Sequence, residues 1–128
     1  MAKELPKKHQ HLDQGVAAEQ LAARYLESRG LVIIARNQRF KVGEIDLVCL
    51  DGKTLVIVEV RQRSTDEFGG ALASVTHWKQ RKLILATQCY LQRAGEWSHL
   101  PLRFDVVAIN GLPGHNPGII WVKAAFTA

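Results

Sequence analysis

Gly43-Glu44-Ile45-Asp46-Leu47-Val48-Cys49-Leu50-Asp51-Gly52-Lys53-Thr54-Leu55-Val56-Ile57-Val58-Glu59-Val60-Arg61 is the stretch from which the fold can be read. It holds two β-rich runs, Glu44 to Leu50 and Thr54 to Arg61, around Leu50-Asp51-Gly52-Lys53, and Asp-Gly in that setting is a strong hairpin signal. Successive side chains in a strand point to opposite faces. Ile45, Leu47 and Cys49 therefore share one face with Val56, Val58 and Val60, an apolar surface that must be covered. The other face carries Val48, Leu50, Leu55 and Ile57 near the turn. At the open end of the hairpin it carries Glu44, Asp46, Glu59 and Arg61. A loop of Asp51-Gly52 sets Glu59 opposite Glu44, and a loop of Gly52-Lys53 sets it opposite Asp46. Either register keeps the three acids on one face.

Outward from the hairpin, helix and strand signals alternate. Ala18, Leu21, Ala22, Tyr25 and Leu26 form a helical stripe between Asp13 as N-cap and Gly30 as stop. Leu31 to Arg36 reads as a short buried strand and Arg36 to Lys41 as a basic connection. A polar loop from Gln62 to Gly70 leads to a second helix, from Ser74 or Thr76 to Arg93, whose inward stripe is Leu83, Ala86, Thr87, Tyr90 and Leu91. Arg103 to Asn110 is a further strand, Gly111 to Gly118 a turn, and Ile119 to Lys123 a last strand at an edge. The fold class expected is α/β, a mixed central sheet flanked by helices.

The 128 residues, 47% of them apolar, suit one domain over residues 13–128, with residues 1–12 as a flexible basic arm. Seventeen Lys and Arg against twelve Asp and Glu give a net charge of +5, which suits either an anionic partner such as nucleic acid or a solubilising surface. Cys49 and Cys89 form no CxxC and sit in apolar patterns, so neither a disulfide framework nor a zinc site is indicated. Runs such as Leu31 to Ala35 and Leu55 to Val58 are too short for a bilayer, and Met1 to Leu12 lacks the apolar segment of a secretory signal. No membrane association and a cytoplasmic location are expected.

Like charges facing one another on a sheet are unfavourable, so the converging carboxylates call for protonation, a basic partner or a cation. A hard divalent ion such as Mg²⁺ takes carboxylates, waters and a backbone carbonyl, and can activate water against a phosphodiester. The alternative is a set of ion pairs with Arg39, Arg61, Arg63 or Arg103 at the sheet edge.

Asp46, Glu59 thirteen positions on, then Val60 and Arg61, resemble the D…(D/E)xK core of the restriction-endonuclease-like superfamily, a layout shared by archaeal Holliday-junction resolvases. More closely, Gly43-Glu44-Ile45-Asp46-Leu47-Val48, Val58-Glu59-Val60-Arg61 and Arg103-Phe104-Asp105-Val106-Val107 resemble the bacterial YraN-like family, which has no assigned function and is expected to have that nuclease fold. The resemblance runs from the first helix to Ala124-Ala125-Phe126.

It implies a Mg²⁺ or Mn²⁺ site of Asp46, Glu59 and the Val60 carbonyl, with Glu19 of the first helix as a further acid. It also implies Gln80 as a polar residue near the site and, by the resolvase layout, a homodimer. Glu19 can instead be a surface glutamate, and Gln80 can cap or line the core. Arg61 stands where the superfamily motif has Lys: it stays protonated and cannot act as a base, though it can stabilise charge on phosphate. Lys41, Lys79 or Lys82 can supply an ammonium from elsewhere, or be solvated. Arg36, Arg39, Lys41, Arg63, Lys79 and Lys82 are the residues expected to track a nucleic-acid backbone, DNA in the first instance. Trp78 can stack on a base or anchor the loop before it, and Asp105 reads as an arginine partner supporting the site. Three readings follow: a metal-dependent nuclease acting on branched or structured DNA, a nucleic-acid-binding domain with a degenerate site, and a protein-interaction module.

Overall fold

The computed structural model describes residues 7–63, 73–111 and 118–128, with side chains from residue 15 onward. The elements are α1 (Lys7–Ser28), β1 (Val32–Phe40), β2 (Gly43–Asp51), β3 (Thr54–Arg63), α2 (His77–Arg93), a 3-10 turn (Gly95–Trp97), β4 (Leu102–Asn110) and β5 (Gly118–Phe126). The five strands lie in the order β1-β2-β3-β4-β5; β3 and β4 are parallel, and the other neighbours antiparallel. Parallel neighbours need a crossover, and α2 lies within it. The α/β class with a mixed sheet between helices is therefore as expected, and β5 is an edge strand; β1 is the other edge and so is partly exposed rather than buried.

Each helix covers one face. Ala18, Ala22, Ala23 and Leu26 of α1 pack on Leu47, Cys49, Val56, Val58, Val107 and Ile109. The small alanines let the helix lie close on the sheet. Gly30, at φ 95, ends the helix in the left-handed conformation that glycine adopts without strain, and Leu31 N–H closes back on Leu26 O at 3.1 Å. Leu83, Ala86 and Tyr90 of α2 cover the other face with Val48, Leu55, Ile57 and Phe104. Thr76 caps α2 by accepting from Lys79 N–H. Burial pushes the Cys49 thiol up to about 12, leaving it the small buried hydrophobe its pattern suggested.

The hairpin takes the Gly52-Lys53 loop, since Asp51 pairs with Thr54, and Gly52 has the positive φ (59°) that a type II′ turn requires at its first loop position. The ladder stops at Leu47↔Val58, short of the acids. Beyond it Ile45 leaves the face of Leu47 and joins the α2 cluster, against simple alternation. The side chain of Asp46 takes over at the break, with its Oδ2 accepting from Val60 N–H at 2.8 Å. β2 and β3 thus part where their carboxylates begin.

Three boundaries differ from the sequence reading. Asp13 lies inside α1, which starts at Lys7, rather than capping it; of the basic arm, residues 1–6 lie outside the described residues. The basic connection after Arg36 is strand as far as Phe40, because pairing with β2 supplies its hydrogen bonds while the edge position leaves Arg36 and Arg39 in solvent. β5 continues to Phe126 across an irregularity between the Phe104 and Val106 pairs. Most of the expected Gln62 to Gly70 loop and of the Gly111 to Gly118 turn lies outside the described residues.

Gly43 starts β2 against the backbone of α2: a Cβ there would sit 2.7 Å from Lys82 O. Backbone cannot yield as a flexible side chain can. Gly43→Ala is therefore expected to push β2 and α2 apart at a cost of about 1–3 kcal/mol, measurable by urea unfolding.

Candidate metal centre

Where β2 and β3 separate, a cleft of about 440 Å³ opens between the start of α2 and the middle of α1. Glu19 reaches it from α1, Glu44 and Asp46 from β2, Glu59 and Arg61 from β3, and Lys79 and Lys82 from α2. One oxygen from each of Glu19, Glu44 and Asp46 lies within 4.8 Å of the others. Asp46 is the hub: its Oδ2 accepts from Val60 N–H, and its carboxylate raises the pKa of both Glu59 and Glu19.

Such a cluster holds protons. Burial, the Asp46 charge and the hydrogen bond to Asp46 push Glu59 up from 4.5 to about 9, against the opposing pull of Arg61 and Lys79. Burial and Asp46 push Glu19 to about 7, opposed by the amide of Asn37, whose nitrogen, turned to face the carboxylate, donates to Oε2 at 2.8 Å. The donors are all hard carboxylate oxygens, the set that Mg²⁺ and Mn²⁺ take, and a cation here would replace the protons that keep these acids together.

This has a consequence for stability without metal. A carboxyl whose folded pKa lies above its unfolded value favours folding fully below the unfolded value, about 4.5, and that contribution is lost as pH rises through the folded one, about 9. In chelator, the protein is expected to lose stability, by an amount of the order of a few kcal/mol, between about pH 5 and 9. Glu59→Gln should flatten this slope and unfold at a higher temperature than the wild type at pH 8. Thermal unfolding across that pH range measures both.

Glu19 occupies a better place than a surface glutamate: it lies on the stripe of Ala22, Ala23 and Leu26 and is half-buried. Val60 lines the cleft, its N–H committed to Asp46. Glu44 was legible as a member of the acidic face but absent from the expected ligand set; its parity with Asp46 was the signal. Asn37, which steadies Glu19 from a left-handed position at φ 50, had no signal in spacing.

Among the expected basic residues, Lys79 and Lys82 enter the cleft, and desolvation together with Arg61 lowers the Lys79 pKa. Arg61 donates from Nε to Ser74 Oγ at 2.9 Å and keeps a terminal nitrogen 3.9 Å from Glu59. Arg39 pairs loosely with Glu44 at 3.9 Å, the Arg63 guanidinium donates to Gln62 O, and neither they nor Arg36 or Lys41 line the cleft. Gln80 is not at the acids either. It donates to Val75 O at 3.1 Å and lines a small hollow with Val106, Val122 and Phe126, because the carbonyl before the helix claims its amide. Asp105 is an arginine partner, of Arg103, but it stands outside the cleft.

A mixed five-stranded sheet with a helix on each face, parted at an acidic cleft, defines an α/β protein of restriction-endonuclease-like layout. The chain belongs to the uncharacterised protein family UPF0102, whose family model matches residues 18–109, from the second half of α1 through β4. This is the YraN-like family that the three sequence blocks resemble. A UPF0102 protein of Pseudomonas syringae pv. syringae (strain B728a) is 48% identical over 112 residues, covering 88% of this chain and 91% of its own. One from Nitrosococcus oceani is 47% identical over 116 residues, covering 91% and 93%. Among the described residues, no helix is long and apolar enough to cross a membrane.

Proposed function

We propose that the cleft is the active site of a nuclease that uses Mg²⁺ or Mn²⁺ to hydrolyse phosphodiester bonds, with DNA as its substrate. The observation that carries this reading is the meeting of Glu19, Glu44 and Asp46 within 4.8 Å, in a cleft that Glu59 also lines. Glu19, Glu44 and Asp46 would hold the ion, joined by Glu59 once it gives up its proton. When bound, the ion supplies an activated water at neutral pH and offsets charge on the phosphate. Arg61, Lys79 and Lys82 place three cations around the acids, where a phosphodiester would lie. Arg61 holds charge and position but cannot take a proton. Lys79, with its lowered pKa, supplies from α2 the ammonium that the usual motif carries beside its second acid.

Arg61 also favours a second reading, a domain that binds nucleic acid and cation without turnover. Incubation of the purified protein with branched, single-stranded and duplex DNA, with Mg²⁺ or Mn²⁺ and then with chelator, separates the two. Metal-dependent cleavage supports the first. Salt-sensitive binding without cleavage supports the second, and neither binding nor cleavage at low salt contradicts both.

On either reading the α2 lysines contact phosphate. Replacing Lys79 and Lys82 together by Ala is expected to weaken binding alike for all sequences, and to reduce the slope of log affinity against log salt by about 2. Anisotropy titrations at several salt concentrations measure this.

A further inference from the structure

Among the described residues, Trp78 belongs to neither core cluster. It keeps 67% of its surface exposed at the start of α2, whereas Trp97 packs against the core and Trp121 donates its indole N–H to Asp105. Its surroundings are cationic. The run His77-Trp78-Lys79-Gln80-Arg81-Lys82 contains no carboxylate, and the Lys82 ammonium lies 5.3 Å from the Trp78 ring centroid. Lys82 itself lines the cleft, so the ring stands at the rim of the acidic site, one helical turn from a residue within it. The capped first turn holds that position: Thr76 Oγ1 accepts from Lys79 N–H at 3.3 Å.

An exposed aromatic ring among cations, beside a site that takes phosphodiesters, has the chemistry of a stacking platform for a base whose phosphates the lysines hold. In a duplex the faces of the bases are already stacked on one another. Only an unpaired base offers a free face. We infer that Trp78 stacks on an unpaired base beside the cleft, so that the substrate is nucleic acid with single-stranded character next to the bond at the site. The inference rests on the cleft being a nucleic-acid site and adds which form of nucleic acid it selects.

Binding in chelator, where no cleavage can occur, tests it. Fluorescein-labelled thymidine single strands and blunt duplexes, each about 20 nucleotides long and so longer than one binding site, are titrated at low salt with the wild type, Trp78→Ala and Trp78→Phe. The wild type is expected to prefer the single strand. Trp78→Ala should weaken single-strand binding roughly tenfold while leaving duplex binding within about twofold, and Trp78→Phe should retain most of the affinity. Equal loss on both forms, or no loss on either, overturns the stacking assignment while leaving the cleft as a nucleic-acid site; no loss on either would leave the ring to a protein partner. Failure of the wild type to bind any DNA overturns the proposed function and this inference together.

Discussion

Asp46→Asn is expected to lower metal-dependent phosphodiester cleavage by at least about a thousandfold, roughly 4 kcal/mol of transition-state stabilisation, while leaving the fold intact. Asparagine keeps the shape of the side chain and an oxygen able to accept from Val60 N–H, the bond that spans the break between β2 and β3. What it loses is the charge at the hub of Glu19, Glu44 and Glu59. Without that charge Glu59 has less reason to hold its proton, and the metal-free variant should be no less stable than the wild type at neutral pH. Initial rates with Mg²⁺ or Mn²⁺ and thermal unfolding in chelator report the two effects separately. Cleavage within tenfold of wild type by a folded variant would contradict the assignment of Asp46.

Asp105→Ala is expected to act on stability instead, by about 3–5 kcal/mol, a large share of the roughly 5–15 kcal/mol that holds a domain together. Asp105 is fully buried and accepts four hydrogen bonds, two from Arg103 at 2.9 and 3.0 Å, one from Trp121 Nε1 at 2.9 Å and one from Ala124 N–H at 2.9 Å. Arg103 also reaches Asp51 at 2.9 Å beside the hairpin turn. The carboxylate thus ties β4 to the irregular part of β5, where Ala124 takes a φ of 50, and through Arg103 to the end of β2. Its removal leaves the Trp121 and Ala124 N–H groups without their acceptor and the partly buried Arg103 guanidinium with Asp51 alone, the costly half of breaking a buried pair. Urea unfolding should show the loss, whereas metal affinity of the folded variant should be unchanged because Asp105 does not line the cleft. A loss under about 1 kcal/mol would contradict this account of the residue.

The acidic face was legible in the sequence because it depends on local rules. A two-residue loop, whether Asp51-Gly52 or Gly52-Lys53, and alternation of side chains place Asp46 and Glu59 on one face. The helix stripes were legible for the same reason: Leu83, Ala86, Thr87 and Tyr90 face inward at helical spacing. The break in the hairpin was not legible, because Asp46 bonds the backbone of β3 with its side chain in place of the ladder, and that choice sends Ile45 to the other core. Glu19 needed the tertiary contact with Asn37 and Asp46 to distinguish it from a solvent-facing glutamate. Gln80 takes the other place open to it, beside the core, because the carbonyl of Val75 claims its amide, and helical parity could not choose between the two.

The central claim, that these carboxylates form a divalent-cation site, is tested most directly by titrating Mn²⁺ into the wild type and Asp46→Asn by calorimetry at pH 8. The account predicts saturable binding to the wild type with release of protons, and affinity weaker by at least about tenfold in the variant. Equal affinity in the two proteins, or no saturable binding to the wild type, would contradict it.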